Sequence, residues 1–96
     1  KDLYPTDPKI SYTLALYYLA LYDSSKNSLE KNNWERLSLE VIENTIRLKL
    51  NFREAYLFKG QLLKKYGEIG EAKKVFEYIL NNFNKNDADV LKELDK

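Results

Sequence analysis

Carboxylates at helical spacing are the residues of this chain with the most obvious capacity for chemistry: Glu40 with Glu43, and Glu68 with Glu71. Two acids three residues apart share one helix face, as general acid–base work or a bound cation would require. The same spacing is ordinary on solvated helix faces, and that reading is preferred. Asn84-Lys85-Asn86-Asp87-Ala88-Asp89 has the oxygen-rich look of a calcium loop. It lacks the glycine and the final glutamate of such loops, and a turn followed by a helix cap accounts for it better. Nucleophilic catalysis through a Ser–His or Cys–His pair is excluded, because the 96 residues contain neither His nor Cys. The usual zinc and copper ligands are missing for the same reason. No glycine loop could cradle a phosphate. The expectation is a non-enzyme without cofactor or metal.

Tyrosine is the oddity of the composition, with five of the eight falling in the first 22 residues. Aromatics interleaved with basic residues can stack on single-stranded nucleic acid. Here Lys9 is the only basic residue between Pro8 and Ser25, and the net charge is +1, so nucleic acid is not an expected partner. The longest apolar run, Leu14 to Tyr22, is nine residues, against about 20 for a membrane-spanning helix. Without Cys the redox compartment stays open between the cytoplasm and the cell envelope. Lys1 standing where a translated chain has Met predicts an excised or processed product.

The elements that must position these residues read as helices. Only three Gly and two Pro interrupt 96 residues, too few breakers for a strand-and-turn architecture. A first helix opens at Asp7-Pro8, cap and first-turn proline, and runs to Tyr22 or Asp23. Its apolar residues surround the axis, which predicts contacts on several sides. Ser24–Lys31 reads as an enlarged polar loop. Asn32 with Glu35 reads as the capping pair of a second helix carrying Trp34, Leu37, Val41, Thr45 and Leu48 on one face. Asn51 with Glu54 opens a third helix ending before Gly67. A fourth, from Gly70, turns Ala72, Val75, Phe76, Ile79 and Leu80 inward. Asp87 or Asp89 caps a short fifth holding Val90, Leu91 and Leu94.

Tyr56, Gly60 and Leu63 in the third helix, followed by Ala72 and Phe76 in the fourth, resemble one tetratricopeptide repeat (TPR). That unit is a helix–turn–helix whose consensus is W-x2-L-G-x2-Y…A-x3-F…P. Small residues at Gly60 and Ala72 would let two antiparallel helices approach, facing one another, while Tyr56, Leu63 and Phe76 fill the flanks. Asn84, Lys59 and Leu63 depart from the consensus without disturbing the hairpin. A degenerate earlier copy would span residues 7–50, with Ser11, Leu14, Ala15 and Tyr18 in the first-helix slots and Ser38 or Leu37 in the small slot. The expected fold is all-α: one domain over residues 1–96, a short TPR-like solenoid of four main helices. Its parts are the degenerate copy, the firm repeat at 51–86, and a capping helix or the start of a further repeat at 87–96.

The resemblance implies a protein–protein interaction module that grips a partner along the first helix of each repeat. Carried over, the groove positions are Glu54, Leu57, Gln61, Lys64 and Lys65. Leu57 and Gln61 fill slots where carboxylate-clamping members carry Lys and Asn, so chaperone-tail binding is not expected. An apolar floor at Leu57 with a basic lip at Lys64 and Lys65 would suit an amphipathic or acidic protein segment. The alternative is an assembly element of a larger, cell-envelope protein. In that reading the Tyr-rich first helix, through Tyr12, Tyr17, Tyr18 and Tyr22, mediates homodimerisation or docking onto a neighbour.

Overall fold

The computed structural model describes residues 4–95 and is all-α among them, with helices α1 (Pro8–Ser24), α2 (Ser28–Leu48), α3 (Arg53–Lys65), α4 (Ile69–Asn82) and α5 (Ala88–Asp95). The chain divides into two compact units, Lys1–Asn51 and Phe52–Lys96.

The first unit is an antiparallel hairpin of α1 and α2. Asp7 caps α1 as its sequence predicts, accepting from the backbone N–H of Lys9 at 2.8 Å. The enlarged loop does not exist: only Ser25–Asn27 separate the two helices. Asn27, not Asn32, is the cap of α2, accepting from the Glu30 N–H at 2.9 Å. Asn27-x2-Glu30 has the same spacing as Asn32-x2-Glu35. Nothing between the two sites breaks a helix, so α2 starts at the earlier cap.

Small polar residues seam this hairpin. Ser11, Ala15, Ser38 and Thr45 are buried. Thr45 Oγ1 donates to Ser11 Oγ at 2.7 Å, and Ser11 Oγ reaches the Val41 carbonyl at 3.3 Å. Each hydroxyl thereby replaces the water it loses. Of the two expected small-slot residues, Ser38 is buried and Leu37 half-buried. At the other end Tyr18 stacks on Trp34, centroids 5.6 Å apart, and Lys31 Nζ lies 4.4 Å from the Tyr22 ring centre. Tyr4 lies against α2, its hydroxyl donating to Glu40. That bond raises the Tyr4 pKa and lowers that of Glu40.

In the second unit α3 and α4 form a hairpin, and α5 returns to them. Gly67 supplies the turn with φ of +89°, the left-handed region that glycine enters without strain. Its N–H donates to the Lys64 carbonyl, and the next N–H, of Glu68, to the Leu63 carbonyl at 2.8 Å, which completes a Schellman ending. The expected Asn51 cap of α3 is not made: Phe52 holds the cap position and no side chain caps it. Likewise α4 begins at Ile69, one residue ahead of Gly70.

Ala72, Phe76, Ile79 and Val90 form the core of this unit, with Tyr56, Leu57, Leu63, Leu80, Phe83 and Leu94 packed around them. Gly60 is buried, and its nearest neighbour across the hairpin is the ring of Phe76. A methyl group at Gly60 would lie 2.4 Å from Cε1 of Phe76 and 2.8 Å from Cζ. The missing side chain is thus space taken by the ring of Phe76.

Candidate partner-binding surface

Four residues of α3, Arg53, Leu57, Gln61 and Lys64, recur at intervals of four, four and three and therefore share one face. In the folded chain this face is occupied. Arg53 grips Asp87 with two parallel bonds, Nε to Oδ2 at 2.9 Å and a terminal nitrogen to Oδ1 at 2.5 Å. The same nitrogen reaches Asp89 at 3.0 Å. Two turns further along, Gln61 donates to the Glu93 carboxylate at 3.0 Å. Lys64 donates to the Glu93 carbonyl at 2.7 Å and lies 3.4 Å from its carboxylate. Arg53 pairs with the start of α5 and Lys64 with its end, so α5 runs in the same direction as α3.

The chemistry at both ends of α5 is satisfied by this pairing. Asp87 accepts from the Val90 N–H at 3.4 Å, a cap for free donors of the first turn. Lys64 places a cation against a carbonyl of the last turn, where the helix dipole is negative. Asp87 is only 7% exposed and Arg53 25%. The Arg53 guanidinium holds the Asp87 carboxyl below the ordinary carboxylate range, against the opposing effect of burial. The carboxylates raise the Arg53 pKa further above its already high value.

Of the five expected groove positions, Gln61 and Lys64 are therefore brought together, on Glu93. Leu57 is not an open floor, because it packs against the core cluster that contains Val90 of α5. Glu54 and Lys65 are exposed, and Glu54 lies 4.0 Å from Arg53. Sequence reasoning missed Arg53 and Glu93, and gave Asp87 and Asp89 only a capping role. Arg53 and Asp87 are 34 residues apart, beyond the reach of any local spacing pattern. Beside α5 a cleft of about 240 Å³ remains, lined by Lys64, Ile69, Ala72, Lys73, Phe76 and Leu94.

The tyrosine patch on α1 is smaller than its sequence implied. Tyr12, Tyr18 and Tyr22 are half-buried, with Tyr18 and Tyr22 engaged by Trp34 and Lys31. Tyr17 alone of the four is exposed, at 58%, beside Ile10 at 60% and Leu16 at 42%. Lys9, Ile10, Thr13, Leu14 and Tyr17 line a shallow, mainly apolar depression. The helix is apolar all round, yet only Ser11 and Ala15 are buried. A third aromatic group was not foreseen: Tyr56 stacks on Tyr78 at 5.1 Å and tilts against Phe83 at 5.3 Å.

Among the described residues no acidic cluster could hold a metal, and no helix is long and apolar enough to cross a membrane. The chain matches no protein-family model, no curated protein and no solved structure. The class of protein is thus defined by the fold alone, an all-α chain of two helical hairpins with a short fifth helix.

Proposed function

We propose that this chain is a non-catalytic protein-interaction module with TPR-like hairpins, and that the second hairpin holds an acidic, amphipathic segment of a partner along α3. The observation that carries this reading is α5 itself. One 34-residue period after Arg53, a parallel helix meets the same α3 face through Arg53, Gln61 and Lys64. Its residues Asp87, Asp89 and Glu93 supply the negative charge and Val90 and Leu94 the apolar contact, the pattern the sequence predicts for a bound segment.

The test is a display selection of random segments of about five helical turns against the intact chain, repeated with Lys64→Glu/Lys65→Glu. Acidic amphipathic sequences should be enriched by the native chain and lost with the variant. No enrichment, or enrichment indifferent to the lysines, would end this reading.

A second reading, self-association or docking through α1, is favoured by the exposure of Ile10, Leu16 and Tyr17. Their apolar surface has no cover within the described chain. Sedimentation should then show association that rises with concentration and disappears in Ile10→Glu/Tyr17→Glu. A monomer at every concentration refutes it.

A further inference from the structure

We infer that α5 is a built-in competitor for the partner segment: it occupies the basic face of the second hairpin and must undock before an acidic amphipathic helix can bind there. This rests on the proposed interaction role and names its regulation.

Three observations converge on it. Charge is complementary, since α5 carries Asp89, Glu93 and Asp95 against Lys92 and meets Arg53 and Lys64. Attachment is graded along the helix. At its start Asp87 is clamped by two bonds and Val90 is fully buried; at its end Leu94 is only half-buried. The Glu93 contacts to Gln61 and Lys64 help Leu94 hold that end down. Lastly, α5 is eight residues long, well under the roughly 12–15 at which a helix in water becomes even marginally stable. Undocking therefore melts it, so opening releases Arg53, Gln61 and Lys64 together, with Glu93 as the latch. The cleft beside Leu94, lined by Ile69, Ala72 and Phe76, is left unfilled by α5. A partner helix one turn longer, with an apolar residue in that turn, would fill it and so outcompete α5.

The experiment uses the whole chain and a labelled peptide with the native sequence of residues 86–96. A short tether holds α5 at an effective concentration on the order of millimolar, so the peptide is titrated to about 1 mM. Glu93→Lys removes the latch and repels Lys64, while leaving the Asp87 clamp and the apolar contacts in place. It should bind the peptide at least ten-fold more tightly than the native chain, and its α5 amides should exchange at least ten-fold faster. Lys64→Glu/Glu93→Lys restores an opposite-charge latch and should return the α5 amide exchange to native levels, while the peptide, whose own Glu93 meets the reversed charge, should bind more weakly than to the native chain. A folded Glu93→Lys chain that binds the peptide no better than the native one overturns the proposal. So does failure of the charge swap to close it. If Glu93→Lys does not fold, Glu93→Gln carries the same comparison. Since the probe is the chain's own segment, these outcomes do not depend on the display selection. A latch that opens while the selection enriches nothing would refute the interaction role and overturn the competitor with it, leaving only a releasable α5.

Discussion

Gly60→Ala is expected to lower the stability of the second hairpin, although alanine is the better helix former by about 1 kcal/mol. The new methyl would sit 2.4, 2.8 and 2.9 Å from three atoms of the Phe76 ring, closer than carbon atoms can pack. The ring is 2% exposed and surrounded by the core of the unit, and a flat rigid group there has nowhere to turn. Overpacking of this kind costs about 1–3 kcal/mol, or about 4–8 °C in melting temperature per kcal/mol for a chain of this size. Gly60→Leu should cost more. The cause can be isolated with a double variant. Phe76→Leu removes the two closest ring atoms, so adding Gly60→Ala in that background should cost less than half as much, a coupling of about 0.5–3 kcal/mol. A Gly60→Ala chain that melts at or above the native temperature would show that the α3–α4 contact is not as tight as described.

The second large effect belongs to the Arg53–Asp87 pair. Arg53→Met keeps the apolar stem but leaves a carboxylate buried against the start of α5 without its cation. Removing one partner of a fully buried pair costs about 3–5 kcal/mol. Arg53 is one-quarter exposed, and solvent screening brings the expectation to about 2–3 kcal/mol. Thermal melting and hydrogen exchange of the α5 amides both read it. The pH dependence carries a sign that packing loss would not. The folded-state pKa of Asp87 lies below its ordinary value near 3.8. The stability it contributes is thus present above pH 4 and is lost as pH falls through the folded value. The gap between native chain and Arg53→Met should be widest near pH 6 and shrink by pH 3. A gap constant with pH would mean that Arg53 acts through its stem and not its charge.

Local physics was legible from residue types at short range. Asp7-Pro8 announced the start of α1, Gly67 the end of α3, and the Ala72-x3-Phe76 spacing the buried face of α4. All of these depend on a few consecutive residues, where backbone donors, φ preferences and helical periodicity decide the outcome. Even at this range the choice between Asn27 and Asn32 went to the earlier cap, because spacing alone does not distinguish equal candidates. Smallness at Gly60 was legible too, but not that the ring of Phe76 is what presses on it.

What only the tertiary structure decided is which faces are free. The sequence by itself determined an all-α chain without catalytic His or Cys, a Tyr-rich first helix and a basic lip at Lys64 and Lys65. It could not show that three half-buried tyrosines of α1 leave only Tyr17 outward, or that α5 lies on the basic face it was expected to leave open. Both outcomes rest on pairings between residues about 15 to 35 positions apart, such as Tyr18 with Trp34 and Arg53 with Asp87. Hydrophobic burial and ion pairing have no sequence range of their own. They are settled only when loop closure brings the chain back on itself, and the geometry of that return is fixed by packing and not by any local run of residues.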